Sequence, residues 1–350
     1  MDSTELMHEN TRVVIWIVST IFYSGQDQDR KKGCIHKISM MVFVVGDPLI
    51  NKYMTGSLVL VIDGGGVKGL YSLRMIRRIM HSRCLFRPDL IVSVSVGALI
   101  GALVATGKLE LFDDVFITHL AQSVLLDTDP TQPGLPWLAP KYRGRTKRRA
   151  LETMFGNMLF NEVTIPMSIL LDRIDGPPVV CNSWENDAFG RCRIVDLLDA
   201  TSAVPTMFPP VSIHGIPYTD GGTISNSPLS IAYLVACTYF PKHDDIWMLS
   251  VGTQDNKTSV PQTRPFDNAN IGIVQLLALG VPMKVVTQRT YVSNQLVRTI
   301  LKDRFMRIDS FLDVRFNSLD GVTEIVQAAD TLWSTIHTDV QSFINRCHPY

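Results

Sequence analysis

Apolar positions along the chain fall into two kinds of run, and their spacing predicts where strands and helices lie. Leu58-Val59-Leu60-Val61-Ile62 is unbroken and of strand length, as a parallel strand buried on both faces requires. From Leu70 to Cys84, apolar residues recur at helical spacing (Leu70, Leu73, Ile76, Ile79, Met80), with Arg74, Arg77 and Arg78 on other faces. Leu90 to Val94 is a second strand, and Gly97 to Gly107 reads as a small-residue helix ended by a glycine. Further on, Ile246 to Val251 reads as a buried strand, while Ile271 to Val281 and Val322 to Ile344 read as helices. Strands alternating with helices predict an α/β fold, helices covering a mostly parallel sheet.

The first 56 residues read differently and form an N-terminal extension. Val13 to Tyr23 is an apolar run about eleven residues long, short of the roughly 20 needed to span a bilayer as a helix. Only Arg12 supplies positive charge just ahead of it and no small-x-small cleavage site follows, so a strand or packing segment is preferred, with a signal or anchor role left open. Ser24 to Gly33 is a polar linker, and Ile38 to Val45, ended by Gly46-Asp47-Pro48, is a further strand candidate.

Composition narrows the class. The chain has 350 residues, 46% of them hydrophobic, enough to bury a substantial core. Thirty-three basic residues balance 33 acidic ones, so no overall field favours nucleic acid as a partner. The six cysteines lack CxxC spacing, which fits reduced thiols in an intracellular, cytoplasmic protein better than a disulfide framework or a zinc site.

The chemistry lies in the turns. Asp63-Gly64-Gly65-Gly66-Val67-Lys68-Gly69 joins the first strand to a helix, and a helix N-terminus with bare glycine N–H groups favours an anion. The same stretch satisfies G-x-G-x-x-G, the dinucleotide fingerprint, but no acidic residue ends the next strand. Ser93-Val94-Ser95-Val96-Gly97 sits between strand and helix like a nucleophile elbow, with Ser93 where its first glycine would stand. A serine nucleophile needs a base, and Asp220, followed by Gly221 and Gly222, is the candidate. None of the eight histidines stands in a recognisable catalytic motif; His214 reads as structural or surface.

Together these three stretches resemble the patatin-like phospholipase family, serine lipid acyl hydrolases with a Ser-Asp dyad. Asp63 to Gly69 matches its D-G-G-G-x-[RK]-G motif, Ser93 to Gly97 its G-x-S-x-G elbow except at the first glycine, and Asp220 to Gly222 its D-G-[GA] motif. Ala200 to Pro205, Phe208-Pro209-Pro210, Leu249 to Thr253 and Met306 to Asp309 add to the likeness. It implies a three-layer α/β/α sandwich over residues 57–330, with 331–350 as the C-terminal helix and tail of the same domain. It also implies Ser95 as nucleophile, Asp220 as base and Gly64, Gly65 and Gly66 as the oxyanion hole, acting on a phospholipid or other acyl lipid without metal or organic cofactor. Lys68 would hold the loop or meet a lipid phosphate. Two alternatives stay open: a catalytically weak or inactive lipid-binding relative, suggested by Ser93, and a nucleotide-binding protein using the glycine turn.

One motif is left over. Lys141 to Arg149 carries six cations in nine positions, after a proline-rich stretch with Leu135, Trp137 and Leu138. This suits either peripheral contact with an anionic membrane or a solvated loop and helix face. Nucleic acid is disfavoured because Tyr142 is its only interleaved aromatic.

Overall fold

Alternate residues of the first strand feed two separate cores. In β1 (Ser57–Ile62), Leu58, Leu60 and Ile62 pack with Leu73 and Ile76 of α1 (Gly69–His81), and Val59 and Val61 with Leu229 and Ala232 of α7 (Leu229–Tyr239). All five strand residues are fully buried, each such side chain contributing roughly 1.5–3 kcal/mol. The unbroken apolar run therefore marks the middle of three layers, helix, sheet and helix.

The computed structural model describes residues 56–82, 86–112, 114–128, 139–242, 245–253, 281–310 and 321–348, within one compact unit, Gly56–His348. Val13–Tyr23, Ser24–Gly33, Ile38–Val45, Leu135, Trp137, Leu138 and most of the helix expected over Ile271–Val281 lie outside the described residues. After β1 and α1 come β2 (Leu90–Ser93), α2 (Val96–Ala105), α3 (Asp114–Leu126), α4 (Arg145–Phe155), β3 (Met167–Arg173), β4 (Val179–Asn182) and α5 (Ile194–Thr201). Then follow β5 (Val211–Ile213), β6 (Ile216–Asp220), α6 (Gly222–Ser225), α7, β7 (Ile246–Val251), α8 (Val281–Leu301), β8 (Phe305–Ile308) and α9 (Val322–Cys347).

The eight strands form one sheet in the order β5-β6-β3-β2-β1-β7-β8, with β4 also on β3. The pairings among β3, β2, β1, β7 and β8 are parallel, and β4, β5 and β6 join antiparallel. This is the α/β fold with a mostly parallel sheet that the spacing predicts and the sandwich that the resemblance implies, with an antiparallel border not legible in either. Helix α9 runs through the expected division at 330/331. Its residues on both sides, Ile325, Ala329, Val340 and Phe343, share one core, and Asp330 holds Arg74 of α1 at 2.8 Å.

The register at β3 places the site. Ile169 pairs with both Ser93 of β2 and Cys181 of β4, and Leu171 with both Asp220 of β6 and Val179 of β4. Because one residue pairs once on each edge, β2 and β6 share the edge opposite β4. Their C-terminal ends therefore meet head to head across Leu170.

Candidate active site

Ser95 follows the end of β2 in a conformation few side chains adopt, φ 55° and ψ −131°. Such backbone costs on the order of 1–3 kcal/mol and must be held by its surroundings. Ser95 N–H donates to Thr201 Oγ1 at 3.0 Å, and Thr201 donates in turn to the Leu170 carbonyl at 2.7 Å. Gly97 lets the turn close, since a Cβ there would lie 2.4 Å from the Asp63 carbonyl.

The opposing strand end delivers Asp220, which is buried. Its Oδ2 accepts from Ser95 Oγ at 2.6 Å and its Oδ1 from Gly222 N–H at 2.7 Å. Gly221 passes so close to β3 that a Cβ would meet the Leu170 carbonyl at 2.3 Å. Burial pushes the Asp220 carboxyl up to about 6, against the hydrogen bonds from Ser95 and Gly222 and the charge of Lys147. A carboxylate raised in this way is a better proton acceptor near neutral pH than an ordinary one. Among the described residues no histidine hydrogen-bonds to Ser95 or Asp220; His214 lies at the turn between β5 and β6, exposed, with Nε2 3.2 Å from Cys192 Sγ.

The glycine turn lies beside the serine, a Cβ on Gly64 falling 3.1 Å from Ser95 Cβ. Gly65 and Gly66 have positive φ, 149° and 57°. Gly64 N–H donates to the Asn226 carbonyl at 2.8 Å, whereas the Gly65 and Gly66 N–H groups have no acceptor among the described residues. Gly64 therefore contributes room rather than a free donor, unlike the other two glycines. Lys68 stands half-buried in the single 3-10 turn that follows.

Behind the turn lies a buried charge cluster. Arg307 Nη2 contacts Asp63 Oδ2 at 2.6 Å and Asp309 Oδ2 at 2.7 Å, all three side chains almost fully enclosed. Ser227 Oγ donates to Asp63 Oδ1, and Arg307 Nη1 to Ser250 Oγ. Burial pushes Asp63 up to about 6 although Arg307 pulls it down. The cluster fixes the residue at which β1 becomes the glycine turn.

Ser93 fits without strain. It is fully buried, its Oγ has no hydrogen-bond partner among the described residues, and it faces Gly101 of α2, whose added Cβ would lie 3.1 Å from that oxygen. The missing side chain at Gly101 makes room for the hydroxyl that replaces the expected glycine.

A cavity of about 180 Å³ opens at Ser95 and Gly66, walled mainly by Leu99, Leu103, Leu120, Val124 and other apolar residues of α2 and α3. Lys147 from α4 also reaches its wall. In the sequence Lys147 reads as one of a surface run. Instead it is nearly buried, paired with Asp199 Oδ1 at 3.1 Å, donating to Ser202 Oγ at 3.1 Å, and stacked 4.5 Å from the Phe208 ring. Arg148 likewise turns to Asp196 and Asp199 of α5, so two of the six cations brace the fold. Thr201, Asn226, Lys147 and Arg307 are the residues that sequence reasoning left without a place in the site. Thr201, Lys147 and Arg307 do fall within stretches it singled out.

An α/β sandwich that joins a serine elbow, an aspartate and a glycine turn to an apolar cavity has the build of a lipid hydrolase. Residues 60–233 match the family model Patatin-like phospholipase. A cGAMP-activated phospholipase of Escherichia coli (strain TW11681) is 26% identical over 78% of this chain and 82% of its own length. Another, from Vibrio cholerae serotype O1, is 26% identical over 58% of this chain and 65% of its own. A cUMP-AMP-activated phospholipase of Escherichia coli is 24% identical over 75% and 79%. Among the described residues no helix is long and apolar enough to cross a membrane.

Proposed function

We propose that the protein hydrolyses acyl esters of phospholipids or related lipids through a Ser95 acyl-enzyme, with Asp220 as the general base. The observation that carries this is the 2.6 Å hydrogen bond from Ser95 Oγ to Asp220 Oδ2 beside an apolar cavity. As Ser95 attacks the carbonyl carbon, Asp220 takes its proton and the carbonyl oxygen becomes an oxyanion. Gly65 and Gly66 N–H groups donate to that oxygen, each such donor worth about 3–4 kcal/mol of barrier, and Gly64 leaves space for it. The leaving lyso-lipid oxygen takes the proton from Asp220. Water, deprotonated by Asp220, then attacks the acyl-enzyme, releases the fatty acid and restores the Ser95 hydroxyl.

Hydrolysis of a phospholipid with two distinguishable chains, followed by product analysis, tests this. The intact protein releases one fatty acid and a lyso-lipid, and Ser95→Ala releases neither. Equal release by both proteins rejects the assignment. An inactive relative is the weaker alternative, because Ser93, its one hint, is accommodated by Gly101. A nucleotide on the glycine turn is weaker still, because it leaves the contact between Ser95 and Asp220 without a role.

The relatives' names support a second element, that a cyclic dinucleotide switches the activity on. The same assay run with and without cGAMP or cUMP-AMP reads it directly. A rate independent of both rejects it.

A further inference from the structure

Five of the six cations of the basic run, all but Lys141, line a second cavity. It measures about 440 Å³ and is walled by Arg143, Arg145, Lys147, Arg148 and Arg149 against only two acidic residues, Glu152 and Asp199, with Phe208 and two prolines completing it. Arg148 and Lys147 are engaged by Asp196 and Asp199. Arg145 and Arg149 are not: both are exposed and neither side chain makes an ion pair or hydrogen bond among the described residues. They stand one turn apart on α4, so their guanidinium groups reach the same space.

Lys147 and Phe208 line this cavity and also the apolar one that opens at Ser95. One wall thus separates a space suited to an acyl chain from a space suited to an anion. We infer that the cationic cavity is a phosphate-binding site, and that the phosphate it takes is the head-group phosphate of the lipid whose ester lies at Ser95. Arginine holds phosphate through paired N–H donors, and a concave setting reduces the screening that a flat charged face would suffer. The head-group assignment rests on the acyl-hydrolase reading above. Phosphate binding itself does not.

The test is calorimetric binding to Ser95→Ala protein, in which no turnover is read, so failure of the hydrolase reading leaves it intact. The probes are dihexanoylphosphatidylglycerol below its micelle concentration, dihexanoylglycerol, which has the same chains without phosphate, and inorganic phosphate. The phosphatidylglycerol probe binds at least about tenfold more tightly than dihexanoylglycerol, about 1.4 kcal/mol. Adding Arg145→Gln and Arg149→Gln removes that advantage and leaves dihexanoylglycerol unchanged, and Arg149→Glu alone does the same.

Inorganic phosphate binding that needs both arginines, without any advantage for the phosphatidylglycerol probe, overturns the head-group assignment in favour of a soluble phosphate. Affinities that do not respond to these arginines overturn the site. Loss of flotation with phosphatidylglycerol vesicles alongside unchanged binding of the monomeric probe also overturns it, because the cluster is then a membrane-contact face.

Discussion

The Ser95 hydroxyl reaches Asp220 Oδ2 across 2.6 Å because β2 and β6 end on the same edge of β3, one on each side of Leu170. The two residues are 125 positions apart, yet neither depends on a long loop for its place. Leu170 is the common reference, its carbonyl holding Thr201, which holds Ser95, while Gly221 closes against the same carbonyl. A site anchored on sheet register is rigid, and rigidity is what a preorganised nucleophile and base require.

In the proposed mechanism Asp220 sets the pH profile. Only its ionised form accepts the Ser95 proton, and burial pushes that carboxyl up to about 6. We expect kcat/KM to rise with an acidic limb centred near that value, well above the ordinary 3.8, with no second limb from a histidine. Lys147 opposes the shift, so Lys147→Met moves the limb to higher pH. Rate profiles from pH 4 to 8 on both proteins check this.

The same residue trades stability for function. Its folded carboxyl holds a proton more tightly than an unfolded one, so the stability it provides is complete below about 3.8 and is lost as pH rises through about 6. Asp220→Asn removes the penalty. Thermal unfolding should show the variant more stable at pH 7.5, by at most about 3 kcal/mol, and matched to the parent near pH 4, with activity abolished at both.

Ser93 and Gly101 form a second coupled pair. The buried Ser93 oxygen lacks a partner among the described residues, so Ser93→Ala should stabilise by about 1 kcal/mol and keep activity. Gly101→Ala should destabilise, because its Cβ would crowd Ser93 Oγ, Ile91 and Met167 at 3.0–3.1 Å. Adding Ser93→Gly recovers part of that loss. Denaturant unfolding of the three variants measures the coupling.

Arg307 is the only cation shared by Asp63 and Asp309 in their enclosed cluster, among the described contacts. Arg307→Leu leaves two buried carboxylates facing each other, at about 3–5 kcal/mol. Asp63→Asn on top of it should restore part of the stability. A double variant no more stable than the single one would contradict the pairing.

Local patterns disclosed much of this. Continuous apolar runs marked β1, β2 and β7, and the glycine and serine turns were visible because their residue types suit few other conformations. Asp220 stood out by its two glycines. The partners were invisible, because Asn226 reaches the Gly64 N–H and Asp199 reaches Lys147 across long stretches of chain. Lys147 shows why: six cations in nine positions look like a solvated face until α5 supplies the carboxylate that draws Lys147 inward. The antiparallel border escaped notice because β4 and β5 are only four and three residues long.

Covalent labelling tests the central claim most directly. A fluorophosphonate probe, followed by peptide mass spectrometry, should modify Ser95 alone, more slowly in Asp220→Asn and not at all in Ser95→Ala. Labelling that persists in Ser95→Ala, or that proceeds at the parent rate in Asp220→Asn, would contradict the Ser95 and Asp220 dyad.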